Sequence, residues 1–287
     1  MIRTTVISAS LAIAFTAQAA QPLTVKVYNA GAASFNVNST LVYGEKEALV
    51  IDAGFSRADA LRIAANVLDS GRQLTTIYVS QADPDYYFGV ETLKEFFPHA
   101  DVVSTPAVLE KLTAKLAGKV AFWGPKMGAN APRNPVVPRA LAGNTLTLEG
   151  QTIEIRGTQG PLAHRPYAWI PALKAIVGNI GVFGNMHVWT ADTQIPAQRT
   201  AWLAQLDEMA ALKPELVIPG HMKAGTTVDG STISFTKDYL QTFEKNLAAN
   251  TSSATLIEAM KQSYPQLTEG AMSLDIGAKV NTGEMKW

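Results

Sequence analysis

The sequence predicts an α/β fold in which two β-sheets pack face to face with helices outside. Two observations carry this. The chain contains two β-rich halves, and each half is followed by amphipathic or mixed helical segments. Several strands are continuous apolar runs, as expected for strands covered on both faces. The length of 287 residues, with 47% hydrophobic and 17% charged residues, is ample for one large core and excludes a disordered chain.

The elements follow in order. "LTVKVYNA" (23–30) alternates and "FNVNSTLVYG" (35–44) alternates more weakly, so both read as strands. "EALVIDAG" (47–54) is a buried strand ending at Asp52. Residues 56–71 form a helix, with Ser56 as N-cap and Gly71 as stop. "TTIYVSQ" (75–81) is another buried strand, and its loop "SQADPDYYFG" leads into the helix "VETLKEFF", ended by Pro98. A short strand, "ADVVSTP", precedes a helix over 107–124. Residues 124–138 hold four prolines and two glycines and read as an irregular loop. "TLTLEGQTIEIRGT" is a strand pair, and "AWIPALKAIVGN" gives two strands turning at Pro171. A helix over 198–212, the strand "ELVIPGH" (215–221) and C-terminal helices from 235 onward complete the chain.

The first segment is read as a signal peptide. Arg3 precedes an apolar run over 6–15, and "AQA" supplies the small-x-small cleavage pattern. Cleavage is expected after Ala19, with Ala20 as the alternative, and export to the periplasm or medium. The apolar run is too short to span the roughly 30 Å of bilayer hydrocarbon, so no membrane insertion is expected after cleavage. Residues 20–287 then form a single domain with C-terminal helices.

Lys plus Arg and Asp plus Glu are 24 each. Loss of Arg3 leaves 23 basic against 24 acidic side chains, so nucleic acid is not an expected partner. There is no cysteine, which removes disulfides, thiolate ligands and thiol nucleophiles. The patterns for a serine nucleophile elbow, a dinucleotide fold and a P-loop are absent. Polar groups at the ends of buried strands remain: Asp52, the loop of Gln81, Asp83 and Asp85, Asn179 and His221, with His164 on a loop before a strand. Asp52 reads as a structural pin of its strand end. His187, among Phe183, Met186 and Trp189, is a candidate lining residue of a small-molecule pocket, and His99 reads as a surface residue.

The succession "LVIDAG", "SQADPDYYFG", "GPLAHRPYAWIP", "AIVGN", "LVIPGH" resembles the metallo-β-lactamase superfamily, in order and spacing, over about residues 25–225. The resemblance implies a four-layer αββα sandwich with its site at one edge. The family loop His-x-His-x-Asp-His stands here as Gln81, Ala82, Asp83, Pro84, Asp85, Tyr86. Asp85, His164 and His221 match ligand positions; Gln81, Asp83, Tyr86 and Asn179 depart from them. Amide oxygens are weak zinc ligands, and a phenol coordinates well only when ionised. The resemblance therefore implies one divalent metal per chain, zinc or else manganese or iron, on Asp83, Asp85, His164 and His221. It implies hydrolysis of a small ester, lactone, amide or phosphoester by metal-activated water, with Asp85 orienting the water and Tyr86 donating to an oxyanion. Gln81, Asn179 and His187 would line the site. The rival reading is a metal-free binding protein for a small molecule, with Gln81, Tyr86 and Asn179 as a neutral hydrogen-bonding floor.

Overall fold

The structure, a computed structural model, describes residues 22–287. The expected signal peptide lies outside them. In spatial order the first sheet contains Thr24–Asn29, Asn38–Tyr43, Glu47–Ile51, Gln73–Tyr78, Asp101–Ser104 and Arg139–Ala140. Its first three strands pair antiparallel and the later pairs are parallel. The second sheet contains Leu216–Val217, Ala175–Val177, Tyr167–Ile170, Gln151–Arg156 and Thr145–Leu148.

Strand alternation builds the layers. Leu49 and Ile51 face inward with Tyr78 and Val103, against Ile153, Ile155, Ala168, Ile170 and Val177 of the second sheet. Ala48 and Val50, one residue out of phase, pack outward against Ile63, Ala64 and Val67 of the helix Arg57–Ser70. On the other side Tyr167, Trp169 and Ile176 pack against Trp202, Leu206 and Met209 of the helix Pro196–Ala211. The helices Ser231–Ala249, Ser253–Ser263 and Ala271–Asn281 complete that layer. The αββα architecture is therefore the one expected.

The local signals hold where they are short-range. Ser56 and Asp59 form a reciprocal capping box, and Gly71 ends the helix at φ +65°. Two segments differ from expectation. The helix read as 107–124 spans Pro106–Met127, with Pro125 in its last turn, where it removes one helical N–H just before the helix ends. The loop after Gln81 contains a one-turn helix, Pro84–Tyr87, with Pro84 at its first position. This turn aims Asp85 and Tyr86 towards the second half of the chain.

Candidate functional site

The site lies at one edge of the sandwich, where three pieces of backbone meet. His221 pairs in parallel with Phe183 and makes an isolated bridge to Val37. Gly220 permits this crossing: a Cβ there would lie 2.1 Å from Asn179 O and 2.6 Å from the Tyr86 hydroxyl. The ring of His221 is thereby fixed against Phe183, stacked at 5.3 Å.

Proton counting sets the tautomer of His221. Its Nδ1 lies 2.9 Å from the carbonyl of Phe35, which can only accept, so Nδ1 carries the hydrogen. Burial holds the imidazole down at about 4, so at neutral pH Nε2 is a lone-pair acceptor. The Tyr86 hydroxyl, 3.0 Å away, donates to it; Asn179 O lies 3.3 Å from the same hydroxyl. Asp85 Oδ2 is 3.5 Å from Nε2. Burial pushes the Asp85 carboxyl up to about 7, and Lys119 opposes that rise.

In front of Asp85 and His221 opens a cavity of about 200 Å³. Phe35, Phe55, Trp123, Phe183, Met186 and Trp189 form its walls. Phe55 meets Phe35 at 5.1 Å and the edge of Trp123 at 5.2 Å. Asp83, Lys119 and Asp192 lie on the same surface, with Trp287. Asp192 accepts from the indoles of Trp189 (2.7 Å) and Trp287 (3.0 Å). Burial opposes its ionisation, but Arg165 and those donors prevail and hold its carboxyl low.

The sequence-predicted residues separate into two groups. Asp83, Asp85 and His221 reach the cavity. Asp83 faces Lys119 at 4.0 Å, and burial with the nearby Asp192 and Asp85 carboxylates raises its pKa. Gln81, Asn179, His164, His187 and Tyr86 do not reach it. The Gln81 amide donates to Pro166 O at 2.9 Å. Asn179 donates to Ile218 O and accepts from Val182 N, both at 2.9 Å. His187 is turned away onto the Tyr239 hydroxyl at 3.0 Å. Tyr86 is fully buried with its hydroxyl spent on His221, so it is not open to an oxyanion. His164 is pushed down to about 4 by burial and by the Lys111 and Arg165 cations, and its Nε2 finds no partner among the described residues. Asp52 is the structural pin expected: Ser80 N and Oγ donate to it at 2.8 and 2.7 Å, and it sits at φ +66°.

The donors present do not fit a metal ion. Among the described residues no group of three or more His, Cys, Asp or Glu is placed to hold one. Asp85 and His221 are close enough to share an ion, but Asp83 is turned to Lys119 and His164 stands away from the cavity. The expected set of four is therefore not assembled. Sequence reasoning missed Trp123, Lys119, Asp192 and Trp287. The first two share the helix Pro106–Met127 at positions 119 and 123, an i,i+4 spacing that signals one face.

Comparison with known proteins decides the family. A sequence model of the metallo-β-lactamase superfamily matches residues 33–221, well over half of the chain. The chain belongs to the metallo-β-lactamase superfamily. Solved structures agree in fold. A metallo-β-lactamase family protein from Thermus thermophilus has a TM-score of 0.60 at 16% identity, covering 91% of this chain and 93% of its own. A metallo-β-lactamase from Pontibacter korlensis gives 0.53 at 17% identity, over 78% of this chain and 97% of its own. A β-lactamase domain protein from Burkholderia ambifaria gives 0.59 at 14% identity, over 87% and 81%. At such identities the likeness concerns the fold. No functionally curated protein is a significant match.

Proposed function

We propose that this superfamily member is exported and that its edge cavity binds a small, largely apolar molecule without a metal ion at the family's ligand positions. One observation supports this above all. The three side chains that depart from the family's ligand types as amides or a phenol, Gln81, Asn179 and Tyr86, are engaged in bonds to the protein itself, while an aromatic cavity opens beside them. Gln81 serves Pro166 O, Asn179 serves Ile218 O and Val182 N, and Tyr86 serves His221. A catalytic zinc takes three protein donors and keeps one position open. The two donors that meet here fall short of that.

A second reading keeps the hydrolase implied by the resemblance, with a single zinc, manganese or iron ion. It is favoured by the closeness of Asp85 Oδ2 to His221 Nε2, and it requires Asp83 or His164 to turn in. One experiment separates the two. The full chain is expressed with its own leader, recovered from the periplasm, and purified without added metal or nickel. The mass should correspond to cleavage after Ala19, and elemental analysis should give well under one equivalent of divalent metal. One equivalent or more surviving gel filtration would refute the metal-free reading; an uncleaved chain in the cytoplasm would refute export.

A further inference from the structure

The charged groups around the cavity pair off with one exception. Asp83 faces Lys119. Asp192 is held by two indole donors and the field of Arg165. Asp85 is left. It is only 6% exposed, and among the described residues its one hydrogen-bond donor is its own backbone N–H. The ring nitrogen nearest to it, His221 Nε2 at 3.5 Å, carries no hydrogen, because Phe35 O requires it on Nδ1, and its lone pair is taken by the Tyr86 hydroxyl, so it gives Asp85 no donor. The Asp85 carboxylate thus faces the cavity with no side-chain hydrogen-bond donor among the described residues, and Lys119 acts on it only through its field. A buried carboxylate is stabilised when a charged donor reaches it.

The walls match such a donor. Phe35, Phe55, Trp123 and Phe183 present ring faces and edges to the same space. Aromatic faces attract cations, more strongly when water is excluded. A cavity of about 200 Å³ is small beside the usual range for drug-sized ligands of roughly 300–1,000 Å³. We propose that the cavity is a site for a small lipophilic amine, whose ammonium donates to the Asp85 carboxylate while its apolar part lies among Phe35, Phe55 and Trp123. This rests on the metal-free reading above, since an ion on Asp85 and His221 would occupy the place of the ammonium.

The test uses the full mature chain after EDTA treatment and three probes of one shape: benzylamine, benzyl alcohol and benzoate. Binding is followed by titration calorimetry and by the fluorescence of Trp123, Trp189 and Trp287. At pH 7.5 benzylamine should bind at least tenfold more tightly than benzyl alcohol, and benzoate more weakly than either. Asp85→Asn should reduce the benzylamine preference to less than threefold, while benzyl alcohol binding stays within twofold. The wild-type preference alone keeps the proposal falsifiable if that variant does not fold, and Trp123→Leu should weaken both ligands together. Equal binding of amine and alcohol would overturn the amine proposal and leave the metal-free apolar cavity standing. Absence of all binding, with metal retained through purification, would overturn both.

Discussion

Replacing Tyr86 by Phe removes one oxygen from the least solvated part of the site. The ring is fully buried among Ala30, Val37 and Ile180, so the variant keeps the packing. What it loses is the donor to His221 Nε2 at 3.0 Å. A net hydrogen bond contributes about 0.5–1.5 kcal/mol, and a buried acceptor left alone costs about 1–3 kcal/mol. The expected loss is therefore about 1–3 kcal/mol at pH 7, or roughly 2–6 °C in Tm for a domain of this size. The pH dependence is the sharper test. In the parent the folded His221 pKa, about 4, lies below its ordinary 6.5. The unfolded chain binds more protons between those values, so the parent loses stability as pH falls from 6.5 towards 4. Without the Tyr86 hydroxyl, Nε2 is free to take a proton facing Asp85, and the folded pKa rises. The variant then loses less on acidification, and the stability gap narrows between pH 7 and 5. Urea denaturation at several pH values, with an imidazole NMR titration, measures both effects. A gap of less than about 0.3 kcal/mol at pH 7, or one that widens in acid, would refute the assigned tautomer and bond.

Two further substitutions probe the frame. Asp52→Asn keeps both Ser80 bonds, with its amide oxygen accepting from Ser80 N–H and its nitrogen donating to Ser80 Oγ. Burial raises Asp52 to about 8, so its contribution is fully present below its ordinary 3.8 and is lost as pH rises through 8. The Asn variant should therefore gain on the parent by about 2–3 kcal/mol between pH 5 and pH 8, after allowance for local relaxation; parallel denaturation profiles would refute this. Gly89→Ala places a Cβ 2.0 Å from Ala53 O, beneath the turn that carries Asp85, and should cost about 3 kcal/mol or more by thermal denaturation.

The fold was legible because its signals are local and periodic. "EALVID" and "ELVIPG" are apolar runs whose alternate residues face the two sides of a buried sheet, and Ser56 announces a helix by its own hydrogen bond. Asp85 and His221 were legible as polar residues at strand ends. Gln81, Asn179 and His187 were not, because an amide or imidazole shows its role only through its partner. Those partners, Pro166 O, Ile218 O and Tyr239, lie 85, 39 and 52 residues away along the chain. One part of the cavity wall, Phe183, Met186 and Trp189, was legible because those residues lie close together in the sequence; the rest was hidden, because Phe35, Trp123 and Trp287 come from a loop, a helix and the C-terminal segment, and no spacing rule joins them.

The departures from the family pattern share one physical logic. A cluster of imidazoles and carboxylates around an ion becomes a cluster of uncompensated acceptors once no ion is held. Glutamine, asparagine and tyrosine carry their own donors, and here each spends one on a neighbouring acceptor. Such substitutions let most of a buried polar floor satisfy itself, Gln81 Oε1 being left without a partner among the described residues. Asp85 escapes that accounting. Its carboxylate remains buried with no side-chain donor among the described residues, on the wall of an aromatic cavity. Were the site only a relic, Asn at position 85 would relieve the burial of charge with no loss. The carboxylate is useful only if something positive or proton-bearing arrives in front of it, and that is why position 85, rather than any matched histidine, is where the function of this chain should be tested first.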